Sequence, residues 1–269
     1  MLNPLTSLNM TASYGTLRGI SFTITDLLSK IYSVRSRCSP HPLNLLAVLK
    51  TSPNPASSDP PFNPQIRRVQ QDVLRMGALV EHSCWLAYQA LVERNLDAAT
   101  QIITQDKSVD QLYRQIELDC IHLMSGEGSV SQDMRLLSAM MQLIRDLERI
   151  GDYAKDVGKI AVQLFPYPPH PQISRVGLML DRCRAMLAMS IESLIHLDDQ
   201  LGRGIKEKDD FVDDDYDSLY QLLVHPPQPP EQLEPIVLLV LTIRCLERMA
   251  DHATNIGNRV VYIVTGQRI

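Results

Sequence analysis

The feature that most constrains this chain is an internal duplication. Residues 144–158 read IRDLERIGDYAKDVG and residues 243–257 read IRCLERMADHATNIG. They agree at eight of fifteen positions, where background frequencies give about one match. A second pair precedes them: DKSVDQLY starts at Asp106 and DDFVDDDY at Asp209. What one copy folds into, the other must fold into as well, so the chain is built from two like units.

The texture of each unit is helical. Val69, Val73, Met76, Val80, Cys84, Ala87 and Leu91 recur in steps of three and four and predict a helix from Ile66 to Arg94. Asn95 reads as the N-cap of a second helix over Asp97–Met124. After the loop SGEGSVSQ a third helix runs from Asp133 to Phe165, and the prolines of PYPPHPQ at 166–172 stop it. The second unit repeats the plan with helices over Val176–Leu201, Ile205–Val224 and Ile236–Val264, the loop HPPQPPEQ standing where the Ser/Gly loop stood. The predicted fold is all-α, a tandem repeat of two three-helix bundles with six long helices. Repeat 1 covers 65–167 and repeat 2 covers 172–269. Residues 1–64 show no sustained period and end in the Pro/Ser-rich stretch TSPNPASSDPPFNP, so they read as a poorly ordered extension and linker.

Composition excludes some functions. The formal charge is −5 and Arg is scattered, whereas binding nucleic acid needs clustered Lys and Arg. Five cysteines form no C-x-x-C pair, which suits free thiols in a reducing compartment. There is no basic segment followed by an unbroken apolar run at the start, and the apolar run Ile236–Ile243 is far shorter than the ~20 residues a bilayer span needs. A soluble cytoplasmic protein without membrane insertion is expected.

The carboxylates are what this pattern leaves unexplained. On the third helix of each unit the core stripe reads Leu147, Ile150, Ala154, Val157, Ala161 and Leu246, Met249, Ala253, Ile256, Val260. Beside it run Glu148, Asp152 and Asp156 in the first unit and Glu247, Asp251 and Asn255 in the second. Like charges four residues apart cost roughly 0.2–0.5 kcal/mol per pair on a helix, yet both copies keep Glu-x-x-x-Asp. On the second helix, Asp106 and Asp209 sit on stripes otherwise made of Ile102, Val109, Tyr113, Ile116 and of Ile205, Val212, Tyr216, Leu219. A carboxylate there must be paired, protonated or bound to a cation. Asp110 and Asp213 follow one turn on.

If the second and third helices face each other, each unit offers four acids: Asp106, Asp110, Glu148 and Asp152, then Asp209, Asp213, Glu247 and Asp251. Arg145, Arg149, Lys155 and Lys159 lie within a turn of the first set and Arg244 and Arg248 within a turn of the second, so spacing leaves ion pairing and cation binding level. An all-oxygen site would suit Mg, Mn or Fe. A di-iron oxidase would need Glu-x-x-His on two helices; no glutamate here has His three residues later, and the seven histidines are dispersed. No motif reads as a catalytic centre.

At these residues the chain resembles the PhoU family. The family pattern couples a tandem duplication with D-K-x-V-D-x-x-Y on one helix and L-E-R-[IM]-[GA]-D on the next. It appears here at Asp106–Tyr113 with Leu147–Asp152, and again at Asp209–Tyr216 with Leu246–Asp251. The resemblance spans roughly Pro64 to Ile269. It departs at Asp210, where Lys is usual, and at Asn255, where the first copy has Asp156. It implies two three-helix bundles, often dimeric, in an accessory protein without enzymatic activity. That protein restrains uptake and starvation signalling when phosphate is plentiful, acting on the ATPase of the phosphate ABC transporter and on a phosphate-sensing histidine kinase. It also implies metal at the eight carboxylates named above. A metal-binding bundle with a storage or metalloenzyme role, and a helical adaptor whose acids are merely solvated, are the alternatives.

Overall fold

Stripes of apolar residues at helical spacing become six helices in the computed structural model, which describes residues 64–126, 131–225 and 233–268. They are α1 (Pro64–Leu91), α2 (Leu96–Ser125), α3 (Ser131–Leu164), α4 (Ile173–His196), α5 (Asp199–Val224) and α6 (Leu233–Thr265). Among the described residues there is no strand. The extension over 1–64 lies outside them apart from Pro64, which opens α1; proline suits a first helical turn because the N–H it lacks would have no partner there. None of these helices is long and apolar enough to cross a membrane.

The predicted stripes are the buried ones. All seven apolar positions named on α1, and all ten on α3 and α6, are buried in one continuous core. Each fully buried Leu, Ile or Met side chain contributes about 1.5–3 kcal/mol, so these stripes hold the bundles together. α1, α2 and α3 pack on one another, as do α4, α5 and α6. The repeats then join along two seams. α3 lies against α6 over the more extensive one, and α1 against α4 over the lesser. α3 and α6 run antiparallel, so Arg135 meets Gly266, Asp146 meets His252 and the chain at Tyr167 meets Glu234.

Local chemistry sets the helix ends. Asn95 caps α2 as expected, its Oδ1 accepting from the N–H groups of Asp97 and Ala98. The boundary between α4 and α5 differs from the sequence expectation. α4 stops at His196 rather than Leu201, because Leu197 turns left-handed at φ 49°. Asp198 then accepts from Gln200 and Leu201 N–H, so α5 begins at Asp199 rather than Ile205. The same device stands 103 residues earlier, where Arg94 has φ 57° immediately before Asn95.

One ion pair and one histidine–carboxylate contact cross between repeats among the described residues. Arg184 Nη2 donates to Glu81 Oε1 at 2.7 Å in the α1–α4 seam, with both side chains buried and the guanidinium stacked on Trp85. His252 Nδ1 lies 2.8 Å from Asp146 Oδ1 in the α3–α6 seam. Neither pairing follows from the helical period, which orders each bundle but not the way two bundles dock.

Candidate functional site

Helix packing brings the second and third helices of each repeat together, and with them the carboxylates. In repeat 1, Asp106 does stand on the core stripe, but a lysine answers it. Lys155 reaches across from α3 and donates to Asp106 Oδ2 at 2.8 Å and to Asp152 Oδ1 at 2.9 Å. Burial works against the charge on Lys155, but the hydrogen bonds to Asp106 and Asp152 outweigh it and hold the ammonium well above its ordinary pKa. Lys155 is thus a built-in cation between the two helices. The rest of the edge is looser. Arg149 sits 3.6 Å from both Glu148 and Asp152, and Arg114 only 4.0 Å from a half-exposed Asp110. The Glu148 carboxyl is raised above its usual range by burial first, then by Asp152, with Asp110 adding to it and Arg149 opposing.

Repeat 2 arranges the same four acids without that lysine. Threonine, Thr254, occupies the position matching Lys155. Asp209 is more deeply buried than Asp106, at 3% exposure, and its close cation among the described residues is Lys206, one turn back on its own helix, which donates to Oδ2 at 2.9 Å. Three oxygens here are buried without a hydrogen-bond partner among the described residues: Asp209 Oδ1, Glu247 Oε2 and Thr254 Oγ1. Leaving a buried acceptor unmet costs about 1–3 kcal/mol, more for a charged group. Glu247 accepts from Arg244 at 2.6 Å through its other oxygen, and Asp251 accepts from Arg248 at 3.1 Å. Burial raises the Asp213 carboxyl, and Asp209, Asp251 and Asp210 raise it further against Lys206. Burial also raises Glu247; Arg244 and Arg248 oppose that, and Asp251 and Asp213 reinforce it.

The structure therefore places all eight predicted residues on facing helices, and the acids of each edge lie within electrostatic reach of one another. It does not gather them into a finished ligand set: among the described residues no three carboxylate, imidazole or thiol groups stand together at ligand distance. The chemistry available is oxygen only, which suits a hard or borderline cation. Such a cation fits repeat 2, where Asp209 Oδ1 is buried without a hydrogen bond and Glu247 Oε2 has only Arg248 Nε at 3.8 Å, better than repeat 1, where the Lys155 ammonium already bridges two carboxylates. Sequence reasoning noted Lys155 only as one of several nearby cations and missed Thr254. The Lys-to-Thr exchange within the duplicated motif was the available signal.

The four described thiols do not join either set. Burial pushes Cys120 and Cys245 up to about 11, and Cys84 and Cys183 further still. Protonated thiols of this kind are poor nucleophiles and poor ligands.

The sequence model of the PhoU domain matches this chain twice, over residues 73–161 and 176–260. The chain belongs to the PhoU family. Both matched segments include the carboxylates of one repeat. A Synechocystis protein named a phosphate-specific transport system accessory protein PhoU homolog is 51% identical over 207 residues, 77% of this chain and 92% of its own length. A protein of the same name from Pseudomonas putida is 29% identical over 76% of this chain and 81% of its own. Among solved structures, the crystal structure of PhoU from Pseudomonas aeruginosa superposes with a TM-score of 0.74 at 28% identity, covering 77% of this chain and all of that one. The phosphate transport system regulatory protein PhoU from Streptococcus pneumoniae gives 0.70 at 26% identity, over 76% and 97%. The PhoU match thus carries the two-repeat fold and leaves residues 1–64 outside it.

Proposed function

We propose that this chain is a cytoplasmic accessory protein of a phosphate-specific transport system. It acts without catalysis, restraining uptake and starvation signalling when phosphate is plentiful. The observation that supports it best is the doubled PhoU domain, together with relatives named as accessory proteins of the phosphate-specific transport system. The partners in this reading are the transporter's ATPase subunit and a phosphate-sensing histidine kinase, engaged by a homodimer. Long helices, inert thiols and an acidic surface suit a protein that works by docking rather than by turnover.

Metal belongs to the same reading. The residues that would hold it are Asp209, Asp213, Glu247 and Asp251. A bound cation would neutralise the carboxylates and tie α5 to α6, setting the acidic face that a partner meets. In repeat 1, Lys155 performs that neutralisation between Asp106 and Asp152. The storage reading keeps the orphaned oxygens of repeat 2 as its support, and it predicts altered metal tolerance with normal phosphate control. Deleting the gene separates the two. A deletion strain should express its phosphate-starvation genes even in phosphate-rich medium; normal repression in a strain without a second copy would refute the regulatory role and leave the fold untouched.

A further inference from the structure

The antiparallel α3–α6 pair has two ends, and the duplication makes them comparable. Adding 99 to a residue number on α3 gives its counterpart on α6, since Ile144 matches Ile243. At one end Tyr167, just past α3, donates its hydroxyl to Glu234 in the first turn of α6 at 2.6 Å. Arg94 closes the same end, donating to the carbonyls of Phe165 and Tyr167. At the other end the counterpart of Tyr167 is Gly266, the counterpart of Glu234 is Arg135, and the counterpart of Arg94 is Leu197. The ring is gone, the carboxylate has become a guanidinium, and the capping arginine has become leucine.

What remains is a shallow groove, open to solvent, lined by Ser131, Met134, Arg135, Ser138, Tyr262 and Gly266. Gly266 has φ 74°, and a Cβ there would lie 2.5 Å from Arg135 Nη1, so glycine lets the guanidinium lie against the backbone. Arg135 enters no ion pair or side-chain hydrogen bond among the described residues. Ser131 and Ser138 flank it at i−4 and i+3 on the same helix face. A second guanidinium, Arg268, stacks on Tyr262 at 5.5 Å. One turn earlier on α6, Arg259 keeps its Nε buried without a partner. The acid nearest in sequence, Asp133, is not among the lining residues. On a chain of net charge −5, the described residues that line this groove offer a guanidinium and hydroxyls and no carboxylate.

We propose that this groove binds a tetrahedral oxyanion, as inorganic phosphate or as the phosphoryl group of a small monoester. Arg135 and Arg268 supply charge, and Ser131, Ser138 and the Tyr262 hydroxyl supply donors. The fork geometry of arginine suits such an anion. The anion takes the place that the Tyr167 side chain takes at the opposite end. The inference rests on this geometry alone, so the site can bind whether or not the chain regulates phosphate uptake.

The test is titration calorimetry on the full chain with inorganic phosphate and, separately, phenyl phosphate. Ionic strength is held constant with chloride, and excess chelator is present so that metal on the acidic edges recruits no anion. Saturable binding with a Kd below about 1 mM is expected for a few charge-assisted hydrogen bonds at an open surface. Binding of phosphate alone identifies the free anion as ligand; equal or tighter binding of phenyl phosphate identifies a phosphoryl ester. Arg135→Gln should weaken either at least about tenfold with helicity unchanged, and Ser138→Ala a few-fold. Amide NMR shifts on the unmutated chain should fall at 131–138 and 262–268. No saturable binding of either probe, affinity unchanged in Arg135→Gln, or shifts confined to the acidic edges would each overturn the proposal.

Discussion

Asp106 in repeat 1 and Asp209 in repeat 2 descend from the same residue of the duplicated unit, and each projects a carboxylate into the contact between two helices. Around Asp106 the neighbouring helix supplies Lys155, and its ammonium joins Asp106 to Asp152. At the position matching Lys155 the neighbouring helix has Thr254, whose hydroxyl is buried without a hydrogen-bond partner; Lys206 takes one oxygen of Asp209 and the other is left without a hydrogen bond. Backbone packing differs in the same direction. A Cβ placed on Gly257 would lie 2.7 Å from the Gly202 carbonyl oxygen, and one placed on Gly202 would lie 2.8 Å from the Gly257 oxygen. At the matching crossing in repeat 1, Gly158 meets Ala99 and the tip of Ile102 instead. Repeat 2 therefore brings α5 and α6 together backbone to backbone, and its acids pair with Lys206, Arg244 and Arg248, each on the same helix as the acid it meets. Repeat 1 carries a lysine inside a more ordinary contact. One fold thus hosts two electrostatic solutions, a lysine bridging two helices in repeat 1 and cations paired along each helix in repeat 2.

The glycines offer the largest way to break this comparison. Gly257→Ala should destabilise the protein by about 1–3 kcal/mol, the usual cost of overpacking, because a carbonyl oxygen on a packed helix cannot move aside. In Gly158→Ala the one contact under 3.0 Å is Ile102 Cδ1 at 2.8 Å, with Ala99 at an ordinary 3.8 Å, and Cδ1 is the end of a side chain that can rotate. There the helix-propensity gain of roughly 0.5–1 kcal/mol should offset most of the strain. Thermal unfolding of the two variants checks this: Gly257→Ala should lower the midpoint by several degrees and Gly158→Ala by little. Equal losses would mean that the two crossings are equally tight.

The lysine-to-threonine exchange sharpens the electrostatic half. Elemental analysis of the unmutated chain, loaded with a divalent cation and desalted, should find the metal on repeat 2, so Thr254→Lys should reduce bound metal to near zero. Lys155→Thr removes the built-in cation and should add metal at repeat 1. In metal-free buffer it should cost stability on the order of 1.5–3 kcal/mol, as for hydrogen bonds between charged groups. Metal content unchanged in both variants would overturn the assignment of the cation to repeat 2.

How much of this was legible beforehand follows from what a helical period can carry. The duplicated motif, the buried stripes, the Asn95 cap and the outlying position of Asp106 and Asp209 are properties of single helices, and spacing alone exposes them. The α4–α5 boundary was misplaced because the apolar pattern runs on through Leu197 and Leu201; the cap at Asp198 becomes visible only when Asn95 is carried forward by 103 residues. Glu81–Arg184 and Asp146–His252 depend on how one bundle docks on the other, and neither partner's own helix announces the contact. The difference between Lys155 and Thr254 was in plain view but had no meaning until α2 was seen to face α3.

The smallest expected effect is a difference in pH response between the two acidic edges. Burial raises Glu148 in repeat 1 and both Asp213 and Glu247 in repeat 2. A carboxyl whose folded pKa lies above its unfolded value binds protons more readily in the folded state. Its contribution to stability therefore rises as pH falls from neutral into the carboxylate range, and is lost again as pH returns through the folded pKa. Repeat 2 has two such groups where repeat 1 has one, so in chelated protein it should account for more of any stabilisation on mild acidification. Asp213 is exposed, which screens its share and keeps the effect to about a degree in thermal midpoint. Asp213→Asn with Glu247→Gln should flatten the change in midpoint between pH 7 and pH 5 more than Asp110→Asn with Glu148→Gln. With metal present the sign inverts for repeat 2, because protons then compete with the cation and acidification releases it. A repeat-2 variant whose pH profile matched the unmutated protein, with and without metal, would show that these carboxylates are relieved by a neighbour other than a proton or a cation.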